Sequence, residues 1–180
     1  MQQNPRDASA WHLLGVARPK IATYPDAVQA LTRATTLVPR VARYHPDLGS
    51  ALIEDGNADR AISSFRRALR IDDTLAEAHN DLGTAYYDKG WHAEAETCFR
   101  RAIELQPGHG IACANLGAAL RAQGRAADAR RAFQRALLLK LRGLPLGSPT
   151  EAPATRKPRR ANRHSATGIR PSPTRRDPRS

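Results

Sequence analysis

A glycine recurs every 34 residues in this chain, as Gly15, Gly49, Gly83 and Gly117, and a leucine stands before each one (Leu14, Leu48, Leu82, Leu116). Ala27, Ala61, Ala95 and Ala129 keep the same step, as do Ala34, Ala68, Ala102 and Ala136. Between those alanines lie Leu31, Phe65, Phe99 and Phe133, and each unit closes on Leu37, Ile71, Leu105 or Leu139. Columns held in phase through four units point to one class of fold. It is a stack of like supersecondary units, each burying its apolar face against its neighbours.

Within a unit the pattern predicts two helices and an all-α chain. The first carries apolar residues at helical spacing, as in Leu82, Ala85 and Tyr86. A turn is expected at Gly56, Gly90 and Gly124, where a positive φ ends a helix at little cost. The second helix sets Ala95, Phe99 and Ala102 on one face, and Pro39 and Pro107 follow it as stops. Small residues at Gly83, Ala95 and Ala102 let helices approach closely, and the bulky Phe99 fills the space they leave.

These residues resemble the tetratricopeptide repeat. Trp11-His12-Leu13-Leu14-Gly15, then Ala27, Leu31, Ala34 and Pro39, follow that family's order, and Leu82-Gly83, Tyr86, Ala95, Phe99, Ala102 and Pro107 follow it most fully. The resemblance implies a right-handed α-solenoid of about four helix pairs. We place the repeats at 8–41, 42–75, 76–109 and 110–142. Residues 1–7 read as the close of a preceding repeat, since Asn4-Pro5 stands one period before Pro39. The first repeat is degenerate: Pro19 should end its first helix early, so this unit is expected to be the weakest. Asp73 and Leu141 stand where a closing proline is expected.

The formal net charge of +12 is unevenly placed: residues 1–142 carry 20 basic and 15 acidic side chains, residues 143–180 carry 9 and 2. Segment 143–180 also holds seven of the 13 prolines and no aromatic residue, so it is expected to be disordered. Its Arg156-Lys157-Pro158-Arg159-Arg160 run allows weak nonspecific binding of polyanions through phosphate contacts, without aromatics for base stacking. No apolar run approaches the length of a membrane span, and the N-terminus lacks a signal-peptide pattern, so the expected location is cytoplasmic.

Chemistry-bearing motifs are scarce. There is no phosphate-binding glycine loop and no nucleophile elbow. His92-Ala93-Glu94 lacks the cysteine partner motif of zinc deaminases and reads as repeat surface. His45 and His79 share a column with Trp11 and Cys113, which marks them as packed side chains rather than ligands. Cys98 and Cys113 read as small buried residues. No catalytic residue, cofactor or metal is expected, and the chain reads as a non-enzyme.

In the family, first helices line a concave groove that holds an extended peptide or a partner helix. The resemblance carries that role to Arg43, Asp47, Ser50, Glu54, Glu77, Asn80, Asp81, Thr84, Tyr87, Asp88, Asn115 and Arg121, with Ser9, His12, Leu13, Val16, Lys20, Ile53, Ile111 and Ala118 beside them. The groove's acidic middle predicts a basic or neutral protein partner. The basic clamp with which some family members grip acidic chaperone termini is not matched, because His12, Val16, Asp47, Glu77 and Asp81 occupy its places. The repeats are also similar to those preceding O-linked N-acetylglucosamine transferase-like enzymes, through Asn115-Leu116-Gly117. The alternative function is therefore a truncated substrate-recruiting region of a larger glycosyltransferase-like protein.

Overall fold

The computed structural model describes residues 7–17 and 23–143. They form eight α-helices: α1 Ala8–Val16, α2 Tyr24–Leu37, α3 Tyr44–Glu54, α4 Ala58–Ile71, α5 Ala76–Asp88, α6 His92–Leu105, α7 Gly110–Ala122 and α8 Ala126–Gly143. The helices pair as α1/α2, α3/α4, α5/α6 and α7/α8, and the second helix of each pair also packs on the first helix of the next. The result is a right-handed α-solenoid. The expectations placed on Pro19, Lys20, residues 1–6 and the arginine-rich segment from 144 onward lie outside the described residues.

The glycine and aromatic columns meet inside each pair. A Cβ on Gly83 would stand 2.7 Å from Phe99 Cε1, and one on Gly49 or Gly117 would meet Phe65 or Phe133 as closely. The missing side chain is what lets each aromatic ring lie flat against the first helix. Phe65 and Phe99 are buried, as are Ala61, Ala68, Ala95 and Ala102, so helices touch through methyl groups and two rings. Gly56, Gly90 and Gly124 turn the α3/α4, α5/α6 and α7/α8 pairs with φ of 78°, 79° and 78°. Trp91 N–H returns to the Tyr86 carbonyl (2.9 Å), the six-to-one bond that closes a helix ending in a left-handed residue.

The second helices end as the prolines predict, α2 at Leu37 and α6 at Leu105. α4 stops at Ile71 without a proline: Asp72 takes an extended conformation and accepts from the Thr74 backbone (3.0 Å) and hydroxyl (2.6 Å). With Leu141 in place of proline, α8 instead runs on to Gly143. α1 ends at Val16, ahead of Pro19, and joins α2 and α3 through a separate small cluster of Ala8, Ala34 and Tyr44.

His45 and His79 are in part what their column suggests. His45 is buried, yet each ring has a job outside the core: Nε2 donates to a loop carbonyl, Pro39 O or Asp73 O, at 3.0 Å. The histidines thus fasten the turns that join one repeat to the next. Arg135 does the same at the third joint, donating to Pro107 O at 3.1 Å.

Candidate functional site: the inner groove

α3 approaches α5, and α5 approaches α7, so the first helices lie side by side along one surface. Polar bonds cross between them in a fixed register of 35 residues. His12 Nε2 meets Asp47 Oδ2 at 2.6 Å, and Asn115 Nδ2 donates to Asn80 Oδ1 at 3.0 Å. A residue on one first helix therefore reaches the column beside its own on the next, one position beyond the 34-residue repeat.

Between α3 and α5 this bond is missing. The residue 35 before Asp81 is Pro46, which has no side-chain donor. Asp81 receives only the amide of its neighbour Asn80, at 3.2 Å. Burial holds its carboxyl above the ordinary range, Glu77 and Asp47 push it further up, and Asn80 and His109 offset part of the rise. Three carboxylates thus converge on α3 and α5, and neither helix carries a lysine or arginine. α4, on the other layer, carries Arg60, Arg66, Arg67 and Arg70 against one aspartate, so charge is segregated between α4 and the two first helices that flank it.

The other expected groove residues divide into four sets. Ser50, Glu54, Glu77 and Asp88 are exposed, as are Thr84, whose hydroxyl donates to Asn80 O (3.1 Å), and Ile53 and Ile111. Tyr87 is half-buried, its ring tilted against His92 with centroids 5.0 Å apart. Asn80 is only 8% exposed, with both amide atoms engaged; it positions Asp81 and Asn115 instead of offering itself. The two basic residues turn to their own repeats: Arg43 lies 5.5 Å from the Tyr44 ring centre and Arg121 lies 5.8 Å from that of Phe133. Sequence reasoning missed the His12–Asp47 bond and the influence of His109 on Asp81, since neither falls on a shared column.

Among the described residues, no group of three or more His, Cys, Asp or Glu side chains could hold a metal ion, and no helix is long and apolar enough to cross a membrane. Cys113 is buried and Cys98 half-buried, and burial pushes the Cys98 thiol up to about 11.

A solenoid of helix pairs, with first helices side by side and polar bonds crossing between them, defines an α-helical repeat protein. Three models described as tetratricopeptide repeat or TPR repeat match residues 49–90, 76–109 and 111–149. Together they span more than half of the sequence, and the chain belongs to the tetratricopeptide repeat family. No curated protein matches it. Among solved structures it is similar to MamA, with 26% identity and a TM-score of 0.73 over 77% of this chain and 81% of that one. It also resembles the second TPR of Spaghetti (RPAP3) bound to an HSP90 peptide, at 27% identity and a TM-score of 0.55, over 56% of this chain and 94% of that one. YrrB, described as a TPR protein with an unusual peptide-binding site, shares the fold at 20% identity and a TM-score of 0.68, over 77% of this chain and 71% of that one.

Proposed function

We propose that this chain is a non-enzymatic interaction scaffold, acting in the cytoplasm, whose inner groove holds an extended or helical segment of another protein that is basic or neutral. The observation that carries this reading is Asp81: a partly desolvated carboxylate beside Glu77 and Asp47, on helices without lysine or arginine, whose charge His109 and the Asn80 amide offset only in part. A ligand arginine or lysine entering there supplies the missing charge, and an arginine adds paired hydrogen bonds. The acidic helices also draw a basic segment toward the groove before contact. Affinity should be modest, on the order of micromolar, because an extended ligand loses conformational freedom on binding.

Support from the neighbours is general. The RPAP3 repeat is a peptide-bound relative, and its HSP90 peptide carries two glutamates and an aspartate. A ligand of that charge is not expected here, which gives the test its negative arm. Fluorescence anisotropy with a labelled Arg/Lys-rich peptide and an Asp/Glu-rich peptide of equal length should show binding of the first only. The double variant Asp81→Lys, Asp88→Lys should weaken that binding at least about tenfold. Equal binding of the two peptides, or no loss in the variant, would overturn the groove assignment.

A further inference from the structure

The two ends of the described array expose the two halves of one kind of joint. At each internal joint a second helix presents an alanine to the first helix that follows, with Leu69 or Ile103 beside it at the second and third joints and Thr35 at the first. Ala34, Ala68 and Ala102 are wholly buried there, whereas Ala136, the same residue in the same column, is only partly covered. Ile103 is 8% exposed, and its counterpart Leu137 is 57% exposed. Leu137, Phe133 and Ala129 line an open cavity of about 350 Å³ on this face of α8.

The opposite end mirrors this. Leu48, Leu82 and Leu116 are each 8% exposed or less, because the preceding second helix covers them; Leu14 in their column is 47% exposed. Ala10 is likewise partly open where Tyr44, Ala78 and Ala112 are buried. The lateral register extends the match. The partner of Ala114 under the 35-residue rule falls on the column of Leu13, which is 66% exposed, so a following unit would meet it through an apolar contact where the first and third internal joints carry a polar bond.

We propose that a second copy of this chain docks head to tail, its α1 face (Ala10, Leu14) seated on the α8 face (Phe133, Ala136, Leu137) of the first. Continuity with the internal joints selects this occupant: the same molecule carries both halves, in equal number and already shaped to each other. The contact joins two different surfaces, so a docked pair still has one free face of each kind. Association therefore proceeds beyond dimers as an open series. The assembly is expected to be weak and reversible, as for interfaces below the standard stable size of about 1,200–2,000 Å². Because the joint is apolar and the formal net charge is +12, added salt strengthens it by screening repulsion between copies.

Sedimentation velocity of the full chain over on the order of 10–500 μM tests this. The expected result is an average mass that rises steadily past the dimer and rises further with salt. Leu14→Asp and Leu137→Asp each block one half of the joint and should each be monomeric alone. Mixed in equal amounts they should form a dimer and stop, because the free α8 face of the first accepts the free α1 face of the second. Leu13→Asp repeats the α1 arm at a more exposed position, and circular dichroism melts check that each variant folds. A monomeric wild type at every concentration would overturn the proposal. So would a monomeric mixture, or a Leu14→Asp variant that still dimerises while Leu137→Asp does not, which means α8 pairs with α8. Association that salt abolishes would also reject it, since that points to charge contacts between the basic segment after residue 142 and the acidic groove.

Discussion

Pro46 stands 35 residues before Asp81, at the place from which His12 reaches Asp47 and Asn80 receives Asn115 elsewhere along the groove. One residue without a side-chain donor thus leaves Asp81 with the amide of its own neighbour, Asn80, in place of a bond from the preceding first helix.

That missing bond costs stability, and the sign can be worked out. Burial, then Glu77 and Asp47, raise the folded-state carboxyl of Asp81 above its ordinary 3.8. The folded state therefore binds the proton more readily than the unfolded chain, and stability falls as pH rises from 3.8 through the folded value. Asp81→Asn removes this burden while keeping an oxygen to accept from Asn80. It is expected to melt higher than the parent at pH 7, with the gap closing as pH drops below about 4. Paired thermal melts at several pH values check this. The same variant should lose affinity for a basic ligand, so one residue trades stability for binding.

Phe99 and Phe133 make a matched pair for core energetics. Both face a glycine of the first helix, but Phe99 is covered by the next repeat and Phe133 is not. Phe99→Ala should cost about 3–5 kcal/mol. Phe133→Ala should cost less, because its ring is already partly in water. Urea denaturation of the two variants gives the comparison; equal losses would mean that the repeat joint contributes nothing to burial at this column.

Gly83 and Gly90 are expected to fail for different reasons. A Cβ at Gly83 would overlap the Phe99 ring at 2.7 Å, so Gly83→Ala should cost about 1–3 kcal/mol through overpacking. At Gly90 nothing lies within 4 Å, but φ is +79°, and Gly90→Ala should cost about 1–2 kcal/mol from the backbone alone. Adding Phe99→Leu should recover part of the Gly83→Ala loss and none of the Gly90→Ala loss. A double-mutant cycle by denaturant melts separates the two.

The contrast between these glycines also marks what a reader of the sequence can see. The 34-residue columns announce Gly83 opposite Phe99 and a turn at Gly90, because both features recur in the second, third and fourth units. Leu141 in place of a closing proline and the clustering of acids on α3 and α5 can also be read from the sequence. The lateral bonds cannot. They link one column to its neighbour at a step of 35, so aligning the repeats hides His12–Asp47 and the vacancy at Asp81. The loop-fastening role of His45 and His79 is hidden too, since a backbone carbonyl leaves no mark in the sequence. Arg125 bridging Glu96 at 2.9 Å, with Gln123 beside it, depends on how far one repeat rotates against the next.

That Glu96 cluster makes the third joint sensitive to acid. Glu96 is 13% exposed, and burial raises its carboxyl. Hydrogen bonds from Arg100, Gln123 and Arg125 outweigh burial and hold it below its ordinary 4.5. Its contribution is present above 4.5 and lost as pH falls through the depressed folded value. Glu96→Gln should destabilise the chain at pH 7 and make little difference in strong acid, the reverse of the Asp81→Asn profile. Hydrogen exchange at pH 7 should show faster opening of α7 and α8 in Glu96→Gln, with α3 and α4 unchanged.

Cys98 offers a probe of how the array opens. Burial pushes its thiol up to about 11, with Arg66 pulling it down and Glu94 pushing it further up. At pH 8 the thiolate fraction is then about a hundredfold smaller than for a thiol at the ordinary 9.0, and the thiolate is the reacting species. Cys113 is buried and its thiol is raised as well, by burial, with Arg135 opposing. The folded chain should therefore react with iodoacetamide about a hundred times more slowly than the chain in denaturant. In a Cys113→Ala background the residual rate reports on Cys98 alone. Phe99→Ala, next to Cys98 in α6, should speed it severalfold by raising the population of open states. If native and denatured rates were equal, Cys98 would be solvent-accessible, and its placement on the α5–α6 core would be wrong.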